Sequence, residues 1–133
     1  MSHIMHDAPD NHLDPTIRVT AMPTDANMYS DIFGGWLMAQ MDLAASSVAS
    51  RRSQGRAATV AVESMSFHRP VTIGDEVTVY AYLTGSGRTS MRISAQAWSR
   101  ARHSEEAHVI TRGEFTLVAT DGDGRPRALP AGD

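Results

Sequence analysis

Eighteen residues from Ile32 to Ala49, IFGGWLMAQMDLAASSVA, carry a single charge, Asp42. A run of that length and polarity either spans a bilayer or lies as a helix against a core. Gly34, Gly35, Gln40, Asp42, Ser46 and Ser47 argue against the bilayer, since a mid-span aspartate alone costs about 2.5–3.5 kcal/mol. The reading is therefore a helix of a soluble protein. Leu37, Gln40, Met41, Ala44 and Val48 follow the spacing of one apolar face, and Asp42 falls on the neighbouring face. Gly35, Met38, Ala39, Ala45, Ser46 and Ala49 share that second face, mostly small residues that let a backbone or ligand come close. Arg51 and Arg52 suit the negative end of the helix, and Gly55 is a natural stop.

Around this helix the chain reads as strands. Thr16 to Met22 alternates and ends at Pro23, and Pro23 to Asp31 is rich in turn formers. Ala58 to Phe67, Glu76 to Leu83, Thr89 to Trp98 and His108 to Ala119 follow, separated by Gly74-Asp75, Gly85-Ser86-Gly87 and Ser104-Glu105-Glu106. One strand, one long helix and four more antiparallel strands describe an α+β domain, a curved sheet wrapped around one central helix. Residues 1–15 read as a flexible leader, 16–120 as the domain and 121–133 as a flexible tail. One helix covers one face of a sheet, and long edge strands need protection, so oligomerisation is expected.

A formal net charge of -3 gives nucleic acid no electrostatic foothold. The absence of cysteine removes disulfides, thiol nucleophiles and iron–sulfur clusters, and is compatible with a reducing cytoplasm. Histidines and aspartates occupy the first fifteen residues where a secretory signal would need an apolar region. His3 and His6 have metal-capable spacing without further ligands in a rigid frame.

The glycine pairs lack the lysine and spacing of a phosphate loop, and no Gly-x-Ser-x-Gly elbow occurs. His68 reads as a strand-end residue, and His103 and His108 as solvated turn flanks. Phe67 and Met65 read as core. What remains is Asp42, with Asn27 and Gly34-Gly35. The bland reading of Asp42 is a solvent-facing side chain. No basic residue stands three or four positions away to pair with it, and a carboxylate in apolar surroundings persists mainly where a network or chemistry uses it. A carboxylate is a general base or a nucleophile, and amides at a helix start can form an oxyanion hole. Together they suit acyl transfer.

The run Asn27-Met28-Tyr29-Ser30-Asp31-Ile32-Phe33-Gly34-Gly35-Trp36-Leu37-Met38-Ala39-Gln40-Met41-Asp42 resembles the signature of hotdog-fold acyl-CoA thioesterases of the YciA and brain acyl-CoA hydrolase type. Thr59 to Phe67, His68-Arg69-Pro70-Val71, Gly74-Asp75, Gly87-Arg88-Thr89-Ser90 and Gly124-Arg125-Pro126-Arg127 agree in order, so the likeness spans roughly residues 17 to 130. The resemblance implies a single hotdog domain that hydrolyses acyl-CoA to acid and coenzyme A. No cofactor is required, coenzyme A being part of substrate and product. By the same resemblance Asp42 matches the catalytic aspartate, acting on water or attacking the thioester. Asn27 matches an asparagine that reaches the aspartate of a facing subunit, and Gly35 the residue whose N–H polarises the thioester carbonyl. Arg88, Thr89 and Ser90 match a segment near coenzyme A, which Arg69 also approaches. A homo-oligomer follows, with a dimer as minimal unit and a trimer of dimers as assembly, in the cytoplasm and without nucleic acid or membrane partners. Ser30 departs from the pattern, because the family has glycine there. If that glycine needs a positive φ, Ser30 strains the loop that carries Asn27.

Two other classes fit the same fold. A non-catalytic acyl-CoA-sensing module would have no need of Asp42. A dehydratase would need a histidine-centred site, and no histidine lies in the loop or helix that carries Asn27 and Asp42.

Overall fold

The computed structural model describes residues 14–132, so His3, His6 and nearly all of the expected leader lie outside the described residues. The elements are β1 (Ile17–Thr20), α1 (Gly34–Ser53), β2 (Ala57–Phe67), β3 (Glu76–Ser86), β4 (Ser90–Arg100) and β5 (Ala107–Ala119). The five strands form one antiparallel sheet in the order β1-β3-β4-β5-β2. The sheet stays open, with β1 and β2 as its edges, and α1 packs on its concave face. Met41 of the helix meets Met91, Ile93, Phe115 and Leu117 of the central strands in one fully buried cluster. Among the described residues no helix is long and apolar enough to cross a membrane.

The buried stripe of α1 is Leu37, Met41, Ala44, Ala45, Ala49 and Ser53. The sequence placed Ala45 and Ala49 on the Asp42 face and Gln40 and Val48 on the core face; the structure reverses this in part. Short side chains on the buried side let the helix axis come close to the sheet, and Gln40 and Val48 flank the contact half-buried. The helix stops one residue earlier than Gly55 suggested. Gln54 takes the left-handed conformation (φ 58°) and the Gly55 N–H returns to the Ser50 carbonyl at 3.2 Å.

β2 is exposed along nearly its whole length. A bulge interrupts its pairing with β5 between Glu63 and Ser66, where Ser64 takes a positive φ of 58°. The bulge turns Met65 inward over Gly113, where an added Cβ would stand 2.7 Å from the Met65 sulfur.

The segment after β5 corrects the expectation of a flexible tail. Thr120 bridges to Pro126, and Leu129 packs against the core and donates its N–H to the Arg88 carbonyl at 2.9 Å. Arg127 fastens the strap. Its guanidinium donates to the Thr120 carbonyl (2.8 Å), the Ser53 carbonyl (2.8 Å) and the Arg56 carbonyl (3.1 Å), with the Ser53 hydroxyl at 3.3 Å. Those carbonyls belong to the end of α1 and to the residues flanking β2 and β5; the Arg56 carbonyl also accepts the Thr120 N–H at 2.9 Å, so the Ser53 and Thr120 carbonyls are the ones that depend on Arg127 among the described residues. Gly55 makes room for it, since a Cβ there would lie 2.7 Å from Arg127 Nη2. Arg127→Ala should lower stability by about 2–3 kcal/mol, the cost of stranding the acceptors of a charged donor. Arg127→Lys should recover only part, because an ammonium lacks the planar fork. Urea midpoints measure both, and an alanine variant as stable as the parent would mean that the strap contributes nothing.

Candidate active site

The loop before α1 is closed on itself. Asn27 N–H donates to the Asp31 carbonyl at 2.7 Å, Ser30 N–H to the Asn27 carbonyl at 3.1 Å, and Ile32 N–H pins the loop to the Val71 carbonyl at 3.0 Å. Asn27 Oδ1 accepts the N–H groups of Tyr29 (2.8 Å) and Asp31 (3.1 Å), the Asx-type closure for which asparagine is suited. Ser30 does adopt a positive φ, 68°. The loop nevertheless closes, because Asn27 holds it from both sides. Among the described residues the Asn27 side-chain nitrogen has no acceptor, so it remains available to a group outside the loop.

At the start of α1 the Trp36 N–H turns back to the Phe33 carbonyl at 3.1 Å. The N–H groups of Gly34 and Gly35 are first-turn donors with no intrahelical acceptor, at the positive end of the helix. Gly35 is exposed, and a Cβ there would meet only the Phe33 ring, at 3.5 Å.

Asp42 lies two turns further along, half-buried, and its Oδ1 accepts the Thr59 hydroxyl of β2 at 2.6 Å. That length lies in the short range of hydroxyl-to-carboxylate bonds. The bond ties helix to edge strand and fixes the carboxylate's direction. Sequence reading passed over Thr59, one hydroxyl in an alternating strand. Gly35 and Asp42 share a helix face, yet seven residues separate them, about 10 Å along the axis. A reacting carbonyl must lie about 3 Å from both its attacking group and its oxyanion donor, so these two atoms of one chain do not converge on it.

The expected coenzyme-binding residues divide between two ends of the sheet. Arg69 follows β2 and lines an apolar groove of about 330 Å³ with Ile32, Leu37, Phe67, Pro70 and Val71 beside the start of α1. Phe67 is 47% exposed there, which corrects its reading as core, while Met65 does pack partly buried against the core. His68 also borders this groove, His103 lies in a polar hollow with Arg100 and Arg102, and His108 stands 3.6 Å from Glu106. Arg88, Thr89 and Ser90 form the β3–β4 turn, whose carbonyls accept from Leu129, Ala119 and Gly87, each at 2.9 Å. The exposed Arg88 side chain thus projects from a rigid turn. That turn adjoins the beginning of β2 and Arg69 its end, a strand length of roughly 35 Å apart. Among the described residues no cluster of His, Cys, Asp and Glu could hold a metal ion.

Residues 29–105 match the family model described as the thioesterase superfamily. An uncharacterized acyl-CoA thioester hydrolase of Zymomonas mobilis is 48% identical over 117 residues, covering 88% of this chain and 78% of that protein. The acyl-CoA thioester hydrolase YciA of Escherichia coli K12 is 43% identical over 128 residues, covering 94% and 96%. The crystal structure of a hexameric broad-specificity acyl-coenzyme A thioesterase superposes with a TM-score of 0.87 at 39% identity, over 95% of this chain and 87% of that one.

The left-handed Ser30 generates a stability prediction. Ser30→Gly should raise stability by about 1 kcal/mol, the cost of a left-handed non-glycine residue less the entropy that glycine loses. A urea midpoint that stays put or falls would show that the loop carries no such strain.

Proposed function

The chain belongs to the thioesterase superfamily, and we propose that it hydrolyses acyl-CoA esters to a free carboxylic acid and coenzyme A in a site shared by two copies. The observation that carries the shared site is the axial separation of about 10 Å between Gly35 and Asp42 on one straight helix. A dimer in which the exposed β2 edges pair antiparallel about a two-fold axis removes the difficulty. The end of one β2, with Asn27, Gly35 and Arg69 beside it, then meets the beginning of the other, with Thr59, Asp42 and the Arg88–Ser90 turn.

In that arrangement the thioester oxygen takes the Gly35 N–H, at the positive end of α1. Asp42 of the facing copy, aimed by Thr59, removes a proton from water as the water oxygen bonds to the carbonyl carbon, or its carboxylate attacks that carbon itself. The Asn27 side-chain nitrogen donates to the attacking group and holds it in line. Collapse of the tetrahedral intermediate breaks the C–S bond and releases coenzyme A as its thiolate; on the water route the proton held by Asp42 goes to that sulfur, and on the direct route water then hydrolyses the acyl–Asp42 anhydride, freeing the acid and restoring the carboxylate. Arg69 of one copy and Arg88, Thr89 and Ser90 of the other come to the same end of the joined sheet, suited to the anionic coenzyme. We extend the hexameric state of the solved relative to this chain as a trimer of dimers, and place it in the cytoplasm, with which a cysteine-free chain is compatible.

Purified protein should release free thiol from acyl-CoA esters, and Asp42→Ala should lower kcat about 10²–10⁴-fold while staying folded. Thr59→Val should lose less, chiefly in kcat, because it leaves the carboxylate present but unaimed. Asn27→Ala and Asp42→Ala proteins, each impaired alone, should regain activity when unfolded and refolded together, since a mixed dimer keeps one intact site. Continued inactivity of the mixture would place both residues in a single-chain site, and wild-type turnover in folded Asp42→Ala would remove Asp42 from the chemistry.

A further inference from the structure

We propose that Asp75 is a positioning residue for the reaction, holding through Thr72 the loop that presents Asn27, an inference that rests on the thioester-hydrolysis reading above. Asn27 can act on a facing copy only if its loop keeps one place relative to α1 and the sheet. Burial does not supply that, because Met28 to Asp31 are exposed. Beyond its own internal turns the loop is held at its far end, where the Ile32 N–H meets the Val71 carbonyl at 3.0 Å and Asp31 bridges Thr72. The footing of Asn27 is thus a second turn, Thr72 to Asp75, whose first two residues are exposed as well.

That second turn needs a fastening of its own. Gly74 takes a φ of 96°, and the Asp75 N–H closes the turn onto the Thr72 carbonyl at 3.1 Å. Backbone bonds to the end of β1 fix the later half: the Gly74 N–H donates to the Ala21 carbonyl at 2.8 Å, and the Ala21 N–H to the Asp75 carbonyl at 2.9 Å. The earlier half, against which the Asn27 loop rests, is held by the Asp75 side chain. Its Oδ2 accepts the Thr72 N–H at 3.1 Å and its Oδ1 the Thr72 hydroxyl at 3.0 Å. Oδ2 also accepts the hydroxyl of Ser99 at 3.0 Å, from a residue of β4 that is only 6% exposed. One carboxylate therefore couples a central strand of the sheet to the turn beneath Asn27. From Ser99 through Asp75, Thr72 and Asp31 to Asn27, each step is a hydrogen bond or a strand bridge. Asp75 acts through that run and not on the substrate.

The test is a double-mutant cycle in kcat and KM, followed by thiol release on the acyl-CoA ester that wild type turns over fastest, with every variant checked for folding by thermal melt. Asp75→Ala should lower kcat about tenfold, within what a misplacement of about 1 Å costs, and leave KM within about twofold of wild type. In Asn27→Ala protein the same substitution should change kcat by less than about twofold, because residues that act as a unit are not additive. Ser99→Ala, which removes one hydroxyl from the carboxylate, should show the same pattern at about threefold, the scale of a single modest hydrogen bond. It decides the matter if Asp75→Ala does not fold. Full kcat in the folded variant, a loss in KM alone, or equal losses with and without Asn27 would each overturn the assignment. Two controls are read first: wild-type protein that releases no thiol would overturn the hydrolase reading itself, and undiminished turnover in Asn27→Ala would overturn its use of Asn27 and with it the purpose of Asp75.

Discussion

The seating of one helix on the concave face of an open sheet is the constraint from which the remaining features follow. Ala44, Ala45 and Ala49 are fully buried, and their short side chains allow close packing over β3 and β4. A helix buried on one stripe keeps its opposite side outward. Met38 and Leu43 remain 37% and 59% exposed, and Asp42 stands between the two environments. The same open sheet leaves β2 as an edge of eleven residues with Val60 and Val62 uncovered. Long exposed edges of this kind recruit partners. An unfinished helix face and an unfinished sheet edge thus adjoin each other, joined by the Thr59–Asp42 hydrogen bond.

Periodicity made the element order readable, because alternation in Glu76 to Leu83 and helical spacing from Leu37 to Met41 reflect which side chains touch the core. Which face of α1 is buried was harder to read. Alanines score weakly on either side, so Ala45 and Ala49 could be assigned to the core only when the helix was seen close to the sheet. Phe67 was misread for a related reason: an alternating strand looks half-buried from sequence, whereas β2 is an edge exposed on both sides. The strap from Asp121 to Pro130 has the Gly, Pro and Asp of a mobile tail. Its order comes from three backbone carbonyls converging on Arg127, a long-range coincidence that composition does not encode.

In the candidate site, Asp42 was conspicuous as the lone charge in an apolar run, with Asn27 and the glycine pair beside it, and the resemblance of the surrounding motif gave Asn27 and Gly35 their roles. Thr59 was invisible because its importance lies in a bond across seventeen residues of chain. The φ of Ser30 was foreseen from the family's glycine, but its consequence was not. Asn27 Oδ1 stabilises the strained turn through the N–H groups on either side of Ser30, so the strain and the candidate functional group are held by the same side chain, and among the described residues the amide nitrogen has no acceptor.

Pairing of two β2 edges would do more than bring distant residues together. In the single chain Asp42 is partly in contact with solvent, where a hydrogen bond from a hydroxyl contributes modestly. A facing copy that covers the helix face would exclude water from the carboxylate, and in a lower dielectric both the Thr59 bond and an approaching Asn27 amide would act more strongly. Assembly would then complete the site and raise the electrostatic strength of its groups in one event. A carboxylate left half-exposed in each chain is consistent with that division of labour: its full burial would cost too much before its partners arrive.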